Sequence, residues 1–228
     1  MGTTGLVSQS LGRGDYREIV LTTLRNLSIA IIVGFIILFL KIPIFSSINF
    51  FFVISDESLK LINEYLSVRL FSAPAELAIY VLVGLYIGIQ KTKISSLIIT
   101  IFSILNIFLS IYFVKFLGLD ILGVALGTTL SALITIILSL IFTYYFIKRE
   151  FNIIPRYKKI FIRKKIIKLF NINFDIFIRT VLLTFAFLWF TYQSSKIGED
   201  YLAVNAILLQ FIMISSFLLD SYAFSTEG

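Results

Sequence analysis

Asn106, Ser110 and Thr128 are polar side chains set in otherwise apolar sequence. Asn106 and Ser110 are four apart, so a helix puts them on one face. Thr128 opens a series with Ser131 and Thr135 along one side of the next apolar run. An amide and several hydroxyls offer neutral oxygens and hydrogen-bond donors. They can bind a cation or a polar ligand, but they supply no acid, base or ionised nucleophile near neutral pH. A second set lies further on. Asp175 precedes Arg179 by four residues, the favourable order for a pair within one helix. Asn205, Gln210 and Asp220 follow in the last apolar run.

Each feature also has a purely structural reading. Ser and Thr in apolar helices commonly hydrogen-bond between helices, at about 2 kcal/mol or less each. Asn106 carries both readings evenly, because a mid-membrane amide is costly to leave unpaired. Asp175–Arg179 reads as a structural pair, with a gate or coupling role as the sharper alternative. Asp220 is close enough to the end of its run to reach interfacial water.

The rest of the composition narrows the chemistry. The chain has no His and no Cys. That excludes the familiar zinc and thiol sites, Ser-His-Asp and Cys-His catalysis, and disulfides. Titratable groups do not gather at one depth beyond Asp175 and Arg179, so an enzyme is not indicated and no cofactor is implied. Of the 228 residues, 58% are hydrophobic and 14% charged, against about 25% charged in soluble domains. This is the composition of an integral membrane protein: all-α, a polytopic helix bundle.

The elements that must position these residues follow from the apolar runs, since a span needs about 20 of them. The opening MGTTGLVSQSLGRGD is not a signal peptide and reads as the end of a helix. Full spans are expected at residues 19–40, from about 56 to 90, and at 94–116, 121–147, 172–195 and 201–224. Pro43 is expected to break the helix in an interfacial stretch after the first span. Ser55 or Asp56 should cap the second span, and Pro74 should kink it. Gly118-Leu119-Asp120 reads as a tight turn. The pairs Gly84/Gly88 and Gly123/Gly127 are weak signals of close helix packing.

Charge sets the orientation. Residues 148–168 hold nine of the 20 Lys and Arg residues, and such a loop is retained in the cytoplasm. Alternate turns then place Arg13, Arg17, Lys91 and Lys93 inside. Asp56, Glu57, Asp120, Glu199 and Asp200 fall outside, with Lys41, Lys60, Lys115 and Lys196. A nucleic-acid role for the basic loop is disfavoured by its apolar flanks; anionic headgroups suit the same charge. The loop divides the chain into residues 1–147, the connection 148–171, and residues 172–228.

The stretches GTTGLVSQSLGRGD, SVRLFSAPAELAIYVLVGLYIGIQKTK, FDIFIRT, AVNAILLQF and FLLDSYAF together resemble the multidrug and toxic compound extrusion (MATE) transporters, in their DinF-like branch. The resemblance implies a two-lobe, twelve-span fold that exchanges protons or sodium for small drug-like compounds in a bacterial-type inner membrane. It also implies that these residues run from the end of the second span to the end of the eighth. The first span, with the family's coupling aspartate, and the last four would then lie outside them, and residues 1–228 alone would not transport. Asn106 and Thr128 match a family polar cluster, but Ser110 stands where relatives carry an Asp. Asn173 and Asp175 match a second motif, in which Phe174 replaces an Arg. A lipid-linked oligosaccharide flippase of the related fold is the alternative, with Arg179 as its one candidate pyrophosphate contact. A non-transporting remnant is the other.

Overall fold

The structure, a computed structural model, describes residues 2–51, 56–151 and 162–227. All regular structure among them is helical: α1 (Gly2–Gly12), α2 (Tyr16–Phe39), α3 (Lys41–Phe51), α4 (Asp56–Arg69), α5 (Ala73–Gly88), α6 (Thr92–Lys115), α7 (Asp120–Glu150), α8 (Arg163–Ile197) and α9 (Glu199–Glu227). Six helical stretches are long and apolar enough to cross a membrane: Tyr16–Phe39, Leu59–Gly88, Thr92–Lys115, Asp120–Glu150, Lys165–Ser194 and Ala203–Asp220. They agree with the six spans read from hydropathy. Residues 152–161 of the basic segment, and the capping expected at Ser55 or Asp56, lie outside the described residues and side chains.

The chain divides into two compact units, Met1–Ile166 and Ile167–Gly228. In the first, α5 is the central helix and touches α1, α2, α6 and α7. Its sequence explains the position. Ala75, Ala78, Ile79, Val81, Leu82, Leu85 and Tyr86 are all buried, and Tyr80 is the one large apolar side chain of α5 that is exposed. Apolar burial does not drive association inside a bilayer, where lipid is as apolar as leucine. Close van der Waals packing does. Gly84 and Gly88 provide it: a Cβ on Gly84 would stand 3.1 Å from the Thr3 side chain, and one on Gly88 2.8 Å from that of Val7. Gly123 fits against Phe113 in the same way, joining α7 to α6. Both glycine pairs therefore mark helix contacts.

The turns follow local chemistry. Asp15 caps α2 by accepting from the Glu18 N–H at 3.0 Å. Gly118 takes φ +63° after α6, and the Leu119 N–H returns to the Phe113 carbonyl at 3.1 Å. A positive φ at this helix end is what glycine supplies.

Pro43 and Pro74 act differently from each other. Pro74 sits at the start of α5 after a 3-10 turn at Leu70–Ser72, so the α-helix of the second span is interrupted just before the proline. Ser72 donates its hydroxyl to the Arg69 carbonyl at 2.7 Å, satisfying a backbone group at this 3-10 turn. Pro43 does not break the helix at its own position. It lies in the first turn of α3, and the interruption falls upstream at Leu40. A proline lacks an N–H and crowds the carbonyl four residues before it, here that of Phe39, while its ring is tolerated in a first helical turn.

The second unit comprises the rest of α8 and α9, joined at Gly198 with φ +154°. Most of its large apolar side chains are exposed, among them Phe177, Leu182, Trp189, Phe211 and Leu218. Helices in contact with lipid present such a surface at no cost.

Candidate functional site

The two helices that carry the neutral polar cluster pack against each other through small residues. On α7, Gly127 lies directly against the backbone and hydroxyl of Ser110 on α6. One turn away, the Asn106 side-chain N–H donates to Thr128 Oγ1 at 2.9 Å. Thr128 in turn donates to the Val124 carbonyl at 3.0 Å. Asn106 thus faces protein at mid-span. The Ser110 hydroxyl is buried and has no hydrogen-bond partner among the described residues. The gathered groups are the Asn106 carbonyl oxygen and the Ser110 and Thr128 hydroxyls. All are neutral, so the cluster can bind through oxygen but cannot carry a proton as a carboxylate would.

The neighbouring hydroxyls of α7 have separate partners. Ser131 is fully buried and donates to the Gly127 carbonyl at 2.6 Å. Thr129 reaches both the Ala125 carbonyl at 2.8 Å and, across to α4, the Val68 carbonyl at 3.2 Å. Thr135 is buried, and its hydroxyl has no partner among the described residues. Near the end of α7, Thr143 shares a buried 2.8 Å hydrogen bond with the Tyr86 hydroxyl of α5.

The sequence-derived residues of the second unit do not gather. Asp175 and Arg179 are both exposed, and no ion pair joins them. A four-residue spacing contributes only about 0.2–0.5 kcal/mol on an isolated helix, too little to hold two exposed side chains together. Gln210 and Asp220 are also exposed. Asn205 is buried, and both polar atoms of its amide are without a partner among the described residues.

Two ion pairs within spans were not singled out from the sequence. Arg25 is 2% exposed and donates to Glu18 at 2.8 Å, and Glu18 also receives Lys165 at 2.9 Å. Arg69 makes a two-pronged contact with Glu76, with its second nitrogen 3.0 Å from Oε2, and also donates to Ser72. In both pairs the partners are seven residues apart. Two helical turns separate them by about 10.5 Å, which a long guanidinium side chain can bridge. Opposite charges seven apart within an apolar run were the available signal. The usual search at three and four residues passes over it. Among the described residues, no group of three or more His, Cys, Asp or Glu side chains could hold a metal.

The MatE family profile matches residues 1–112. DNA damage-inducible protein F of Escherichia coli (strain K12) is 30% identical over 228 residues, which is all of this chain and 50% of that protein. The fold matches a MOP superfamily transporter from Pyrococcus furiosus with a TM-score of 0.82 at 21% identity, over 93% of this chain and 47% of that one. It matches a multidrug resistance MATE family transporter with a TM-score of 0.77, at the same identity and coverage. The chain spans about half the length of each. It carries part of the fold of these transporters, and in sequence it is similar to the MatE profile over its first 112 residues and to DNA damage-inducible protein F throughout.

Proposed function

We propose that these helices form part of a secondary active exporter that exchanges a cation for small organic, drug-like compounds. The observation that carries the reading is the Asn106–Thr128 hydrogen bond beside the unpartnered Ser110 hydroxyl, a polar cluster built between two spans. Polar groups held inside spans are functional candidates by default. The related multidrug resistance MATE family transporter supports the transport class by its fold.

The donor set bears on the coupling ion. Sodium is a hard cation that takes neutral oxygens, as in transporters where carbonyls coordinate it. A proton needs a titrating group, and Ser110 supplies none. Sodium therefore fits Asn106, Ser110 and Thr128, and proton coupling would have to use a carboxylate elsewhere, with Asp175 and Asp220 as the candidates. In this reading the basic segment at residues 148–168 faces the cytoplasm of a bacterial inner membrane.

The test is ethidium efflux from cells expressing residues 1–228, alone and grafted in place of the matching half of the Escherichia coli relative. Sodium and pH gradients are imposed separately. Sodium-driven efflux by the graft that falls with Asn106→Ala supports the proposal. Efflux driven by pH alone and indifferent to Asn106 overturns the sodium assignment. A graft that inserts in the membrane but transports under neither gradient overturns the transport reading.

A further inference from the structure

The first unit has a second built feature, at the end of the bundle where α2 begins and α5 and α7 finish. Aromatic rings tie these three helix ends together. Tyr16 stacks on Phe151 with ring centroids 5.1 Å apart, Phe151 meets Phe146 edge-on at 6.0 Å, and Phe146 meets Tyr86 at 5.5 Å. The Tyr86–Thr143 hydrogen bond locks α5 to α7 at the same level.

Cations surround this ring floor. Arg17 follows Tyr16, Lys148 and Arg149 lie just before Phe151, and Lys91 and Lys93 stand where α5 passes to α6. All five are exposed, and none has an ion-pair partner among the described residues. The acids at this end do little to offset them. Asp15 caps α2, Glu18 is engaged by Arg25 and Lys165, and only Glu150 is both exposed and unengaged.

We propose that this end of the first unit is a binding site for the phosphodiester headgroup of an anionic phospholipid. A basic cluster beside a membrane span is drawn to acidic lipid. Tyr16, half-exposed at the first turn of a membrane-crossing helix, occupies the depth where aromatic residues sit among headgroups. The acyl chains would run along the exposed apolar side chains of α2 and α7, such as Ile31 and Phe142. A soluble phosphate would gain from the charge alone and not from the aromatic floor or the apolar flanks. Lipid is therefore the favoured occupant.

The experiment is native mass spectrometry of the purified 228-residue chain in detergent, titrated with equimolar phosphatidylglycerol and phosphatidylcholine. The expected result is saturable retention of phosphatidylglycerol over phosphatidylcholine. Arg17→Gln/Lys148→Gln/Arg149→Gln should weaken it on the order of 100-fold, roughly five-fold for each charge removed. Lys60→Gln/Lys115→Gln, at the opposite ends of their helices, should leave it unchanged. Arg149→Lys should bind like the parent and Arg149→Gln roughly five-fold more weakly, which keeps the test decisive if the triple variant fails to fold. Equal retention of both lipids, or full retention by the charge-removed variants, overturns the proposal. Displacement of the lipid by millimolar inorganic phosphate would show a phosphate site rather than a lipid site, and overturns it as well.

Discussion

Gly34 on α2 lies directly against Pro74, just after the 3-10 turn that interrupts the second span. A Cβ at position 34 would stand 2.6 Å from the Pro74 nitrogen and 2.9 Å from its Cβ. The α-helical ladder is interrupted there because Pro74 cannot continue it, and α2 approaches closely only because residue 34 has no side chain. The contact also brings α2 to the turn that carries Arg69, Ser72 and Glu76.

Gly34→Ala should therefore destabilise the bundle by about 1–3 kcal/mol, since backbone rather than a flexible side chain must give way. Gly5→Ala, with open space around it, is the control. Thermal unfolding in detergent compares the two; equal melting temperatures would refute the tight contact.

Asn106→Ala removes the hydrogen bond between α6 and α7. Interhelical hydrogen bonds in membranes average about 0.6 kcal/mol and reach about 1.7, so the stability loss should be small. Thr128 retains its bond to the Val124 carbonyl. If the cluster binds sodium, stabilisation of the parent by added sodium should vanish in the variant. A sodium response that persists in Asn106→Ala assigns the ion to another site.

Glu18→Gln leaves Arg25 buried without its carboxylate. Breaking a buried pair on one side costs about 3–5 kcal/mol, and the low end is expected because Arg25 makes a further contact. Lys165→Gln should cost about 1 kcal/mol or less, because Lys165 is 49% exposed and solvent screens its attraction. Unfolding of both variants checks the order; a larger loss from Lys165→Gln would reverse the assignment of Arg25 as the buried partner.

Tyr86→Phe keeps the ring contacts of Tyr86 with Phe142 and Phe146 and loses only the hydrogen bond to Thr143. The expected loss is about 1 kcal/mol. Tyr86→Ala should cost about 3–5 kcal/mol, because a fully buried aromatic side chain leaves a cavity. Melting curves that do not separate the two variants would contradict the packing.

The orientation proposed for the basic segment places residue 159 and residue 199 on opposite sides. Cysteines introduced by Lys159→Cys and Glu199→Cys should react with an impermeant maleimide from the cytoplasmic and the external face respectively. Labelling of both from one face would overturn it.

The amino-acid sequence by itself determined the membrane class, the number of spans, the Gly118 turn, the helix interruption before Pro74 and the two glycine seams. Each rests on a local quantity: the length of an apolar run, the φ a residue tolerates, or the absence of a side chain. It also brought Asn106 and Thr128 forward as members of one polar group, because a short turn between two long helices brings facing polar positions to similar depth. Only the tertiary structure decided which groups meet. Asp175 and Arg179 have favourable spacing, yet both are exposed and make no ion pair among the described residues, while Arg25 and Arg69 find glutamates two turns away. Gly34 against Pro74, and Thr129 on the Val68 carbonyl, join residues separated by 40 and 61 positions. Such contacts depend on how each helix is rotated about its axis and how closely its neighbours approach. Packing sets both over the whole bundle, and no single stretch of sequence encodes them.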